Sequence, residues 1–233
     1  VIVPILVLRP EPGASETAAR ARPLGLQPLV SPLFTIHPVP WEAPHAGSFD
    51  AVLLTSANAA RHAGAALRAF TGLACYTVGE ATAAAARAAG FVDVRIGPSD
   101  GAEAVSALER EGLRHVLHLC GRDYMPLRGS TAAIERRVVY ASEPLDALPV
   151  PAEHCLAAGA IALIHSPRAG IVFASLVDRA RLDRGRIALA AISSAAADAA
   201  GAGWLSVVAA ERPRDEALLE LVAKLCQNGW PQE

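Results

Sequence analysis

The chain has 233 residues, 52% of them hydrophobic and 19% charged, with 21 Lys and Arg against 23 Asp and Glu for a formal net charge of -2. That length fits one large domain or two of roughly 100–130 residues, and so apolar and nearly neutral a composition excludes intrinsic disorder. Near-neutrality also argues against a nucleic-acid partner, which normally requires a basic excess. A polyanionic small molecule is still admitted if its charges are met locally.

Short apolar runs alternate with alanine-rich stretches of helical period, a pattern that predicts α/β architecture with largely parallel strands. In chain order the predicted strands cover 5–8, 51–54, 76–78, 116–119, 160–164 and 187–192. Each leads through a turn into a predicted helix, over 15–24, 58–70, 80–89, 130–136, 169–179 and 194–200. The first run lacks the basic start and long apolar stretch of a signal peptide and reads as a strand. The longest uncharged stretch, 23–41, is broken by Pro28, Pro32, Pro38 and Pro40, so no membrane span is expected. Cys75, Cys120, Cys155 and Cys226 lie far apart, with no C-x-x-C pair, which points to a reducing compartment and a cytoplasmic location. Lys224 is the sole lysine among the 21 basic residues, a bias spread over the whole chain that marks no particular site.

An internal repeat divides the chain. Ala51-Val-Leu-Leu-Thr-Ser-Ala-Asn58 lines up with Ile161-Ala-Leu-Ile-His-Ser-Pro-Arg168, each a buried strand ending in a serine turn that opens a helix. Tyr76-Thr-Val-Gly-Glu-Ala-Thr-Ala83 lines up with Ala190-Ala-Ile-Ser-Ser-Ala-Ala-Ala197, and Pro98-Ser-Asp100 with Pro213-Arg-Asp215. The N-terminal unit, from Leu6 through a helix to Pro28 and Phe34, matches the stretch from Leu117 through a helix to Arg137 and Tyr140. The proline-rich stretches 37–48 and 141–153 read as crossings, with linkers at 39–45 and 143–149. The expected fold is two similar flavodoxin-like lobes with parallel sheets, joined by a two-stranded linker. The first lobe is discontinuous, over 1–38 and 150–233, and the second covers 46–142. A cleft between lobes is the expected place for a small ligand.

Taken in order and spacing, several segments resemble the uroporphyrinogen III synthase family. They are Leu6-Val-Leu-Arg-Pro10, Phe49 to Asn58, Tyr76 to Ala83 with Gly90, Leu119-Cys-Gly121, Val138-Val-Tyr140 and His165-Ser-Pro167. The resemblance implies a cofactor-free lyase of tetrapyrrole biosynthesis that closes linear hydroxymethylbilane, with loss of water, while inverting its last pyrrole ring. It also implies two α/β lobes with the site between them. A substrate bearing acetate and propionate groups needs many carboxylate contacts, and helix N-termini supply these without formal charge. The turns where parallel strands end and helices begin are therefore the candidate binding positions: Arg9, Ser56, Asn58, Gly79, Thr82, Gly121, Arg122, Ser166, Arg168, Ser193 and Ser194.

Ser56 and Ser166 also read as ordinary N-caps, Thr82 as a hydroxyl bonding an upstream carbonyl, and Arg168 as a solvated helix-start arginine. Tyr140 closes a strand beside the second crossing. Alone it reads as the polar edge of a core, whereas the resemblance makes it the group that helps the hydroxyl leave. Ser193-Ser194-Ala195-Ala196 stands where the family usually has Gly and Thr, which removes any threonine contact there. His115 and His118, three apart on a predicted strand, point to opposite faces, and His154-Cys155 has no second pair nearby. No metal and no cofactor are expected, and a monomer is. The second functional reading is a two-lobed cytosolic binding or sensor protein for an anionic small molecule, without chemistry.

Overall fold

The computed structural model describes residues 3–97, 101–124, 127 and 130–227. Pro98-Ser-Asp100, the first half of one repeat match, lies outside them. The chain divides into two compact units, one built from Val1–Thr35 with Pro144–Glu233 and the other from Ile36–Glu143.

The first unit carries a five-stranded parallel sheet. Its strands are β1 (Pro4–Val7), β2 (Gln27–Val30), β9 (Ala160–Ile164), β10 (Ile187–Ala191) and β11 (Ser206–Ala209), in the spatial order β2-β1-β9-β10-β11. The central strands are apolar throughout because both faces are covered. Along β9, Ala160, Ala162 and Ile164 enter one core while Ile161 and Leu163 enter the other, the period of two that a pleated strand imposes. The first face is covered by α5 (Val150–Ala157), α6 (Pro167–Arg179) and α7 (Ser194–Ala199), with Phe173 stacked on Trp204 at 5.5 Å. The second is covered by α1 (Gly13–Ala21) and α8 (Asp215–Gln227), through Ala14, Ala21, Leu218, Leu219 and Val222.

The second unit repeats this plan. Its sheet has the order β3-β8-β7-β4-β5-β6, with β3 (Phe34–Pro38), β4 (Ala51–Leu54), β5 (Ala74–Val78), β6 (Val94–Gly97), β7 (His115–Gly121) and β8 (Ala133–Pro144). Val52 and Leu54 of β4 face α2 (Ala57–His62) and α3 (Glu80–Ala88) in a core centred on Phe70. Ala51 and Leu53 face α4 (Gly101–Arg110) through Ala104, Val105 and Leu108. The equivalences β1 with β7, β2 with β8, β9 with β4, β10 with β5 and β11 with β6 follow the repeat seen in the sequence.

Four local expectations change. Of residues 130–136, expected as a helix, 133–136 instead enter β8, which pairs parallel with β7 from His115↔Ala133 to Leu119↔Arg137. Ala, Glu and Arg gave that stretch a helical composition, but pairing with a buried strand outweighs propensity. The predicted helix over 58–70 stops at His62, because Gly64 turns the chain at φ +71°, and a 3-10 segment, Ala65–Phe70, follows. Helix 15–24 likewise ends at Ala21, with Arg22–Leu24 as a 3-10 turn closed by Gly25 at φ +77°. Finally, 141–153 is not pattern-free: β8 runs to Pro144 and α5 starts at Val150. Pro149 and Pro151 mark a helix start, where proline's missing N–H costs nothing.

Candidate active site

All strands in the two parallel blocks end on one edge of their sheet, so the turns that follow them share that edge. In each unit the direction of strand succession reverses once, between β1 and β9 in the first and between β7 and β4 in the second. Such reversal points open a crevice beyond the strand ends, where ligands of open α/β sheets bind.

In the first unit Arg9 follows β1 and His165-Ser166 follow β9. Ser166 caps α6, its Oγ accepting the Ala169 N–H at 3.1 Å, and the Arg168 guanidinium lies 5.0 Å over the Phe34 ring. Ser193 caps α7 in the same way, accepting from Ala196 at 3.3 Å, and Ser194 is the first residue of that helix. Serine at these N-caps satisfies a helix-start donor whatever else it does.

Arg9 is bound into a cluster that no local pattern announces. The Asp215 carboxylate, 9% exposed at the start of α8, accepts from Thr17 Oγ1 at 2.9 Å, Arg20 Nε at 3.0 Å and His165 Nε2 at 2.9 Å. Arg9 lies 3.6 Å from the same carboxylate, and its guanidinium crosses the start of α1 so closely that a Cβ on Gly13 would fall 2.7 Å from Nε. Burial raises the Asp215 pKa, but the hydrogen bonds from His165, Arg20 and Thr17 outweigh it and hold the carboxyl well below the usual carboxylate range. Arg9 keeps a third of its side chain exposed at the crevice, whereas His165 is 7% exposed.

In the second unit Ser56 caps α2, its Oγ accepting the Asn58 N–H at 3.2 Å. Gly79 caps α3 by conformation, at φ +76°, with open space where a Cβ would point. Backbone conformation rather than close approach therefore requires glycine there. Thr82, in the first turn of α3, is buried. Arg122 pairs with Glu143 at 3.1 Å, both side chains more than half exposed, and its N–H donates to the Tyr140 carbonyl at 3.0 Å.

Gly121 ends β7 opposite Tyr140 of β8, at a register shift between Cys120 and Gly121. The Tyr140 ring lies across this glycine: a Cβ there would be 2.7 Å from Cζ and 2.9 Å from the hydroxyl oxygen. One step further into the sheet, His118 shares a hydrogen bond with Thr55 at 3.1 Å. Burial pushes its imidazole down to about 4, with Arg136 adding to the effect.

The expected positions thus fall into two sets. Arg9, Ser166, Arg168, Ser193 and Ser194 follow strand ends of one sheet, and Ser56, Asn58, Gly79, Thr82, Gly121, Arg122 and Tyr140 belong to the other. His165, Asp215, His118 and His62 were not singled out as site residues. Their partners lie up to 198 residues away in sequence, and no local pattern links His165, which the repeat aligns with Thr55, to Asp215, which it aligns with Asp100.

A family model described as uroporphyrinogen-III synthase HemD matches residues 15–220. The chain belongs to the uroporphyrinogen-III synthase family. Membership makes it a lyase of porphyrin biosynthesis, acting on the linear tetrapyrrole hydroxymethylbilane to form uroporphyrinogen III. Among solved structures, the uroporphyrinogen-III synthetase of Helicobacter pylori 26695 is 19% identical, with 97% of this chain and 100% of that one covered at a TM-score of 0.66. A mutant uroporphyrinogen III synthase of Thermus thermophilus, a selenomethionine derivative, is 17% identical, with 97% and 100% covered at a TM-score of 0.52. These likenesses carry the uroporphyrinogen-III synthase fold. No curated protein matches the sequence. Among the described residues, no helix is long and apolar enough to cross a membrane.

Proposed function

We propose that the strand-end turns hold acetate and propionate carboxylates of the tetrapyrrole, and that Tyr140 donates its phenolic proton to the departing hydroxyl. The observation that carries this is the placement of the phenol across Gly121, at the C-terminal end of β7 beside the Ser56 turn that follows β4. Capped helix starts at Ser56, Ser166 and Ser193, and the α3 start at Gly79, offer backbone N–H groups to anions. Thr82 is buried and serves the α3 start through its backbone. Arg9, Arg122 and Arg168 add cationic donors suited to carboxylates, and Asn58 and Ser194 add uncharged polar ones.

Protonation lets the hydroxyl leave as water with its C–O electron pair, producing an azafulvene cation. The substituted carbon of the last ring attacks that cation, the spiro intermediate rearranges, and the proton lost from the ring carbon returns to the phenolate. One water is the net loss. Because the cation cyclises unaided to the type I isomer, the protein's contribution is mainly positioning. Four unpaired cysteines suit a cytoplasmic enzyme, and a monomer with no nucleic-acid partner accords with the net charge of -2.

The test is a coupled assay that generates hydroxymethylbilane in situ and separates type I from type III product after oxidation. The parent should give type III, and Tyr140→Phe should lower kcat by about 100-fold. Type I alone from the parent would mean that the protein binds without chemistry, and normal turnover by Tyr140→Phe would remove the phenol from the mechanism.

A further inference from the structure

We infer that Gly121 and His62 are positioning residues that fix the direction in which the Tyr140 phenol points. This rests on the reading that Tyr140 protonates the leaving hydroxyl. Gly121 is the cross-strand partner of Tyr140, and its missing side chain is what admits the ring. A Cβ would fall 2.7 Å from Cζ and 2.9 Å from both Cε2 and the hydroxyl oxygen, closer than real Cβ contacts allow. Alanine would therefore push the ring, hydroxyl end included, off its present line.

His62 supplies a second contact. Its ring centroid lies 6.3 Å from that of Tyr140, tilted by 37°, within the range in which aromatic pairs attract. Burial holds the imidazole below its ordinary pKa, with Arg61 and His37 adding to the effect, so near neutral pH an uncharged ring packs on the phenol.

Both contacts are set on fixed backbone. His62 ends α2, and the next residue, Ala63, accepts the Trp41 indole N–H at 2.8 Å while Trp41 packs on the buried Phe70. Tyr140 is held by the Arg122 N–H on its carbonyl, and its neighbour Val139 by the Val39 N–H at 2.9 Å. An unbranched phenol with free χ1 would visit several rotamers. A glycine beneath the ring and an imidazole beside it select one. Since a misplacement of about 1 Å can cost about 100-fold in rate, such selection is a catalytic requirement rather than a packing detail.

The experiment compares Tyr140→Phe, His62→Ala, His62→Phe and Gly121→Ala in the coupled assay, alongside 19F NMR of protein labelled with 3-fluorotyrosine. The chain has three tyrosines, and the resonance missing from Tyr140→Phe identifies Tyr140. His62→Ala and Gly121→Ala should each lower kcat by about 10- to 100-fold with KM within about twofold, and should shift or broaden the Tyr140 resonance. His62→Phe, which restores a ring, should recover kcat to within about threefold of the parent. An impaired Tyr140→Phe together with normal kcat in His62→Ala overturns the inference and leaves the role of Tyr140 standing, as does a His62→Phe no better than His62→Ala. Normal turnover by Tyr140→Phe overturns both. If Gly121→Ala fails to fold, the half-buried His62 pair still decides.

Discussion

Replacing Asp215 by asparagine removes the negative charge around which β1, α1, β9 and α8 of the first unit are tied. The carboxylate is 9% exposed and His165 is 7% exposed, so their hydrogen bond contributes about 1.5–3 kcal/mol, the range for a bond to a charged group. Arg20 and Arg9 are 40% and 33% exposed, and solvent screening limits each to about 0.5 kcal/mol. Thr17 adds about 1 kcal/mol. Asparagine keeps one acceptor oxygen, so the expected net loss is about 3 kcal/mol, near the lower end of the cost of stranding a buried charge partner.

The assay is urea unfolding followed through Trp204, which stacks on Phe173 in this unit, in a background carrying Trp41→Phe and Trp230→Phe. With a slope of about 2 kcal/mol/M, the midpoint should fall by about 1.5 M. The folded-state pKa of Asp215 lies below its unfolded value. Its contribution is therefore complete above about pH 4 and is lost as pH falls toward the folded-state pKa, so parent and variant should converge in acid. A loss below about 1 kcal/mol at pH 7, or one that persists undiminished at pH 3, would refute the reasoning.

His118 works in a higher window. Its folded pKa of about 4 lies below the ordinary 6.5, so the unfolded chain binds the extra proton, and stability falls as pH drops from 6.5 to 4. The parent should lose about 3 kcal/mol more than His118→Gln across that window, measured by urea titrations at each pH; parallel curves would exclude His118 as the cause. Ser166→Asp keeps the α6 cap and should hold stability within about 0.5 kcal/mol, while its new charge repels substrate carboxylates and raises KM by about tenfold or more. An unchanged KM would place that turn away from substrate. Gly170→Ala would set a Cβ 2.8 Å from the Ala196 carbonyl oxygen and 3.0 Å from the Ala200 nitrogen, where α6 meets α7. Overpacking of about 1–3 kcal/mol should exceed alanine's helical advantage and lower Tm by several degrees; a higher Tm would show that the two helices can separate cheaply.

The central strands were legible because burial on two faces leaves a continuous apolar run, as in Ala51-Val-Leu-Leu54 and Ala160-Ile-Ala-Leu-Ile164, followed by a serine that starts a helix. Edge strands gave no such signal. β6 and β11 are four residues each, mostly half-buried, and have one neighbouring strand apiece. The composition of 130–136 suits a helix, while what decides the state of 133–136 is the pairing with His115 to His118 on the strand beside them. For the candidate site, capping serines and the glycine at positive φ announce themselves locally. The contacts that orient side chains, Asp215 on His165 and His62 on Tyr140, join positions with no shared period or motif, so only the folded chain displays them.

The discontinuity of the first unit has a consequence for synthesis. β1 leaves the ribosome well before one of its two neighbours in the sheet, β9, which begins at Ala160, and β10 and β11 come later still. At about 5–20 residues per second, Ile5, Leu6 and Val7 spend on the order of ten seconds without that partner, while 36–143, contiguous in the chain, has every strand it pairs internally. The order of emergence therefore favours completion of the second unit first, and makes the apolar N-terminal strand the segment most in need of a chaperone. Nascent chains stalled once Glu143 has cleared the ribosome, but before β9 has, should show protease protection over 36–143 and cleavage before Thr35; equal protection of both would reverse that order.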